Sequence, residues 1–209
     1  MAPAFPTGKD YDMKILVACE YSGTVRDAFR KQGHDAWSCD LLPTDADPTY
    51  HIQGDVFKVL DQGWDMMIAH PPCTYLSNSG VCWLHKDPKR WELMKEGAEF
   101  FKHLLNSNIP KIAVENPIQH KYAREIIGKT YTQIIQPWMF GHTERKATCL
   151  WLKGLEPLKP TNNVYEEMLK LPKNQQQRLH YLPPSEDRWK LRSKTFQGIA
   201  EAMAEQWSN

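Results

Sequence analysis

What the chain lacks narrows its possible chemistry first. Its 209 residues hold five cysteines, at positions 19, 39, 73, 82 and 149, with no Cys-x-x-Cys pair among them. An odd, scattered set speaks against a disulfide framework and against structural zinc. No metal centre is therefore expected, and a cytoplasmic protein with reduced thiols is the simpler reading. Charge of one sign is missing too. With 26 basic and 25 acidic residues the net is +1, which weakens any reading as a chain with a large nucleic-acid footprint. No apolar stretch is long enough to span a membrane, and residues 1–12 lack the apolar core of a signal peptide. Internal repeats are absent, and so is the Gly-x-Gly-x-x-Gly pattern of a dinucleotide loop.

What is present is an ordinary globular composition, 41% hydrophobic and 24% charged, which suits one soluble domain with a sizeable core. Residues 1–12 read as a loose leader and 13–209 as a single domain. Short apolar runs recur, each ending at something chemically unusual. Residues 14–18 lead into Cys19-Glu-Tyr-Ser-Gly23, residues 64–69 into His70-Pro-Pro-Cys73, and residues 111–114 into Glu115-Asn-Pro117. Runs of this length between breakers are consistent with buried parallel strands. Further strands are expected at 35–39, 130–136 and 147–152.

Helical patterns alternate with these runs. Residues 24–32 form a short one, closed by Gly33. Residues 88–106 carry Trp91, Met94, Ala98, Phe101 and Leu105 as one apolar stripe. Pro117 is placed to open a helix ending at Gly128, and a last helix is expected at 195–207. Between them, residues 154–192 read as a reduced, loop-rich region with at most a short helix near 164–170. The alternation predicts an α/β sheet, mostly parallel, with helices on both faces.

In such sheets ligands sit beyond the carboxyl ends of the strands. Residues 19–23, Asp40, Asp55, His70–Cys73 and Glu115–Pro117 all follow strands or short extended pieces, so topology alone converges them on one edge. Asp40 ends the second strand, where a carboxylate can bond ribose hydroxyls; it can equally well cap a turn. Cys73 follows two stiffening prolines, which suits a positioned thiol. A buried structural cysteine is the other reading, with Cys82 a competing thiol in the same loop. Glu115 ends an apolar strand and is either paired with a nearby base or a working carboxyl.

Cys73 and Glu115 together carry a resemblance. Ala69-His-Pro-Pro-Cys-Thr-Tyr-Leu-Ser-Asn-Ser-Gly80 resembles the nucleophile loop of the cytosine-C5 methyltransferases, and Val114-Glu-Asn-Pro117 resembles their Glu-Asn-Val motif. Gly54-Asp-Val56 is similar to the segment that contacts the cofactor adenine, and Cys19–Gly23 stands where the family's first cofactor loop lies. The likeness spans roughly residues 13–152. With residues 140–151 and the closing Arg192-Ser-Lys-Thr-Phe-Gln-Gly198, the chain looks like a small group carried by bacteriophages and prophages.

The resemblance implies a Rossmann-like class I methyltransferase sheet and a transferase that methylates C5 of cytosine in DNA with S-adenosylmethionine. Cys73 would add to C6 as the nucleophile, Glu115 would hold the N3 edge, and Arg145 would stand near the base. Cofactor contacts are implied at Glu20, Tyr21, Ser22, Gly23, Asp40, Leu41, Asp55, Val56 and Pro71, with Ser193 or Thr195 as further candidates. The departures are specific. Glu20 and Tyr21 stand where the family carries glycines, residues 143–147 hold one arginine where it has two, and the DNA-reading region shrinks to about 40 residues. Two alternatives therefore stay open: C5 methylation of a free cytosine nucleotide such as dCMP, and a non-catalytic nucleotide or nucleic-acid binder on the same fold.

Overall fold

Every buried strand of this protein presents apolar side chains to both sides, and that property builds the layers. In the computed structural model, residues 13–208 are described; the expected leader at 1–12 lies outside the described residues. The strands are β1 (Lys14–Ala18), β2 (Asp35–Asp40), β3 (His51–Gln53), β4 (Met66–Ala69), β5 (Lys111–Asn116), β6 (Gln133–Ile135) and β7 (Thr148–Lys153). The helices are α1 (Thr24–Lys31), α2 (Lys89–Leu105), α3 (Lys121–Ile127), α4 (Tyr165–Leu169), α5 (Lys173–Gln176), α6 (Arg188–Ser193) and α7 (Gln197–Trp207).

The strands form one seven-stranded sheet in the order β3-β2-β1-β4-β5-β7-β6. The first five run parallel, and β7 runs antiparallel between β5 and β6. This is the expected α/β architecture, a mostly parallel Rossmann-like sheet with helices on both faces.

The two-residue period of a strand divides the core in two. Ile15 and Val17 of β1, with Met66 and Ile68 of β4, pack under α1 and α7 through Val25, Phe29, Ile199, Met203 and Trp207. Leu16 and Ala18, with Met67 and Ala69, pack under α2 and α3 through Met94, Ala98, Phe101, Ala123 and Ile127. Phe101 meets Trp151 of β7 edge-on at 4.8 Å, and burial of each such ring stabilises by roughly 2–3 kcal/mol.

The polar edge strand β3 was not anticipated, because His51-Ile-Gln53 has no apolar run to reveal it. Residues 154–192 are not a long loop with one helix but carry three short helices, α4, α5 and α6. The strand expected at 130–136 shortens to Gln133–Ile135. Thr195 does not cap the last helix, whose N-cap is Phe196 without a side-chain hydrogen bond. Trp138 is half-buried against Tyr165 at 4.8 Å. Among the described residues, no helix is long and apolar enough to cross a membrane.

Pro117 does not open α3. The segment after it stays extended and braces the loop that follows β4: Asn78 N donates to Ile118 O at 2.8 Å, His120 N donates to Leu76 O at 3.0 Å, and Ser77 bridges Gln119. The helix begins only at Lys121, where His120 Nδ1 accepts the Ala123 N–H and His120 Nε2 donates to Tyr75 O. One imidazole thus caps a helix and ties down the loop that carries Cys73.

Candidate active site

The carboxyl ends of β1, β4 and β5 open onto a cleft of about 620 Å³, part of it open to solvent. Cys73, Glu115, Glu20, Tyr21, Ser22 and Pro71 all line it. The loop after β4 is held from two directions. Cys73 O accepts the N–H groups of Leu76 and Ser77, both at 3.0 Å, and the buried Asn116 donates through Nδ2 to Pro71 O at 2.9 Å. Proline cannot donate, so its carbonyl is the group by which β5 grips the loop.

Glu115 is half-buried at the end of β5, and its Oε2 lies 3.1 Å from His70 Nδ1. Burial pushes the Glu115 carboxyl up, but the His70 hydrogen bond, the His70 charge and Lys146 together outweigh burial, leaving it below the usual range. Cys73 moves the other way. Burial and the neighbouring Glu115 raise its thiol, and Lys146 and Arg192 offset only part of this, so the resting group is a protonated thiol. Cys82 is exposed and does not line the cleft, whereas Cys19 does. The Cys19 thiol is forced far up by burial and by Asp40, which leaves Cys73 as the more readily ionised of the two.

Glu20 has a structural task. Its Oε1 accepts Val25 N at 2.7 Å and its Oε2 accepts Arg26 N at 3.2 Å, so the carboxylate caps the first turn of α1. Gly23 precedes that helix at φ 71, where a side chain would strain the backbone and its Cβ would strike the buried Arg26 guanidinium. Tyr21 reaches away from its loop: its hydroxyl donates to Lys190 O at 2.8 Å and lies 3.2 Å from Ser193 Oγ.

Not every expected residue joins the cleft. Asp40, Leu41, Asp55 and Val56 lie outside its lining, at the ends of β2 and β3, and Asp40 and Asp55 are sensed there by Cys19 and Cys39. Asp40 Oδ1 accepts Leu42 N and Asp55 Oδ1 accepts Phe57 N, both local turns, and Val56 is buried. Arg145 is exposed and outside the cleft. Its neighbour Lys146 lines the cleft instead and donates through Nζ to Arg192 O at 2.8 Å. Thr148 shares a side pocket with Lys146 and Glu115, and the segment before β7 is fixed by Arg145 N donating to Gln176 O at 2.6 Å and Lys146 N donating to Gln136 Oε1 at 3.0 Å.

Two members of the site were not singled out from sequence, His70 and Lys146. The signal for His70 was there: a histidine directly after the fully buried Met66–Ala69 needs a partner, and Glu115 supplies it. Arg192, Ser193 and Thr195 complete the wall from the far end of the chain.

No family model matches the chain, and no curated protein matches it. Among solved structures, a candidate DNA modification methyltransferase encoded within an E. coli prophage is similar, with a TM-score of 0.45 and 15% identity. The match covers 77% of this chain and 55% of that one, so the chain spans little more than half of that protein's length.

Proposed function

We propose that the chain is an S-adenosylmethionine-dependent C5 methyltransferase acting on cytosine in DNA through a bond between Cys73 Sγ and C6 of the base. The observation that carries this reading is that Cys73 and Glu115 stand at the ends of adjacent parallel strands and line one cleft, with Glu115 held by His70. A lone reactive thiol would be served by a depressed pKa. A thiol that must add across a ring is served by a neighbour able to relay its proton.

The residues at the sheet edge fit the cofactor. S-adenosylmethionine carries a sulfonium and an ammonium, and the carboxylates Glu20, Asp40, Asp55 and Glu115 gather along this edge. Asp40 Oδ2 has no partner among the described residues and suits ribose hydroxyls. Leu41, 74% exposed beside it, offers an apolar contact for adenine. Glu20 already holds the amides at the α1 N-terminus, so an anionic group of the ligand would find its partners elsewhere, at Ser22 or at the basic Lys146 and Arg192. The cofactor supplies an electrophilic methyl group.

The chain's own residues do the rest. Cys73 Sγ bonds to C6 while its proton passes through Glu115 to N3, which makes C5 electron-rich. His70 holds Glu115 in position for that transfer, and Lys146 and Arg192 lower the cost of the transient thiolate. After methylation the C5 proton leaves to water, the Sγ–C6 bond breaks, and the N3 proton returns through Glu115 to Sγ, which restores the ring and the thiol. In duplex DNA the base would first have to leave the stack.

Incubation with labelled cofactor and either DNA or dCMP tests the substrate, and a 5-fluorocytosine oligonucleotide tests the chemistry. A covalent adduct on Cys73, lost in Cys73→Ser, is expected. An adduct that survives Cys73→Ser, or none in the wild type, would overturn the catalytic reading in favour of a binder. Label in dCMP alone would move the substrate to the free nucleotide.

A further inference from the structure

The near-zero net charge of the chain conceals a strong polarity. Between residues 173 and 194 stand six bases (Lys173, Arg178, Arg188, Lys190, Arg192 and Lys194) against two acids, Glu186 and Asp187. That segment is therefore net +4, and the rest of the chain, against a total of +1, is net −3.

The basic segment is fixed beside the cleft. Tyr21 OH donates to Lys190 O, Lys146 Nζ donates to Arg192 O, and Lys194 pairs with Asp45 at 3.0 Å. Arg178 pairs with Glu144 at 2.9 Å, which anchors the other end. Lys173, Lys190 and Arg192 have no acidic partner among the described residues.

Large rings stand uncovered on the same segment. Trp189 is 49% exposed while leaning on Tyr21 at 5.7 Å, and Tyr181 is 57% exposed. Four other tryptophans of this chain are buried, so an exposed one beside cations that lack acidic partners, Lys190 lying 5.8 Å over its ring, at the edge of the cleft, calls for a ligand with both charge and flat apolar faces. Protein partners offer no regular negative charge of that kind. A strand of nucleic acid offers both, and only an unpaired strand offers the faces of its bases.

We propose that residues 173–194 form the bed for single-stranded DNA. Phosphates lie on Lys173, Lys190 and Arg192, and a base flanking the target cytosine stacks on Trp189. The inference rests on the DNA reading above and deepens it: the substrate strand is unpaired as it meets the protein.

Fluorescence anisotropy with a labelled 20-nucleotide oligonucleotide, single-stranded or annealed, tests this in the absence of cofactor. Single strands should bind more tightly than duplex, with a log–log salt slope of about −2 for three phosphate contacts at roughly −0.7 each. Lys173→Gln combined with Lys190→Gln should reduce that slope by about 1.4. Trp189→Ala should weaken binding by roughly 5- to 150-fold, the equivalent of about 1–3 kcal/mol of stacking, and Trp189→Phe should restore part of it. Thermal melts confirm that each variant is folded.

Equal or tighter binding of duplex, a salt-independent affinity, or a folded Trp189→Ala within twofold of wild type would overturn the proposal. Loss of the covalent adduct with binding intact defeats the methyltransferase reading alone, whereas an adduct on dCMP without strand binding defeats the bed alone.

Discussion

Glu115→Gln tests the site most directly, because the structure sets two of its consequences against each other. Glu115 Oε2 is engaged by His70 Nδ1 at 3.1 Å, with the two side chains only 18% and 9% exposed. A glutamine has the same volume and can turn its oxygen to His70, so the fold and base binding should survive. What disappears is the negative charge and the capacity to relay a proton. A positioned acid–base group contributes roughly 10²–10⁴-fold, about 2.7–5.4 kcal/mol of barrier at 1.36 kcal/mol per factor of ten. Against this, removing the carboxylate relieves Cys73 of the repulsion that helps keep it protonated. Burial, not Glu115, is the larger cause of the raised thiol, so that gain is the smaller effect. Adduct formation with a 5-fluorocytosine oligonucleotide, followed by intact mass under saturating substrate, should slow at least about 100-fold. Alkylation of Cys73 by iodoacetamide at neutral pH should become faster in the same variant. A folded Glu115→Gln within tenfold of wild type in adduct formation would refute the proton relay, and slower alkylation would refute the electrostatic coupling between the two residues.

Cys73 alkylation in the wild type should accelerate with pH up to and beyond the usual thiol range, since burial and Glu115 hold its pKa above the ordinary value. Lys146→Met removes a charge that favours the thiolate, so at any fixed pH it should slow alkylation; an unchanged rate would remove Lys146 from the site. Two glycines should answer oppositely to alanine. Gly97 lies inside α2, where a new Cβ would touch Leu76 at an ordinary 3.5 Å, so Gly97→Ala should stabilise by about 1 kcal/mol and raise Tm by about 2–4 °C. Gly198 packs the start of α7 onto the Phe140 carbonyl, with no room for a Cβ, so Gly198→Ala should destabilise by about 1–3 kcal/mol and lower Tm correspondingly.

Much of the fold was legible because its cause is local. A strand buried on both faces must be apolar throughout, so Lys14–Ala18 was readable to the residue. A helix packed on a sheet must repeat every three to four residues, so α2 followed from its stripe within a residue at either end. Pro117 misled because its usual place at a helix start says nothing about partners elsewhere. The segment it begins uses its backbone to brace residues 76–78, a bond set across roughly 40 positions of sequence. The short edge strand β3 and helices α5 and α6 left too little periodic pattern to register, whereas α4 falls where a short helix near 164–170 was expected.

The site divides the same way. By itself the sequence indicated that Cys73 and Glu115 end two apolar runs of one parallel sheet, whose strand ends must share an edge; their adjacency as β4 and β5 came from the structure. Only the tertiary structure decided which groups face them. It turned Lys146 inward and Arg145 outward, bound His70 to Glu115, employed Glu20 as a helix cap, and brought a basic, ring-bearing segment from the far end of the chain to the mouth of the cleft. Side-chain direction here depends on how distant residues hold the backbone, as Gln176 and Gln136 hold Arg145 and Lys146, and partnership depends on contacts between residues far apart in sequence. Neither is written in the residues taken one stretch at a time.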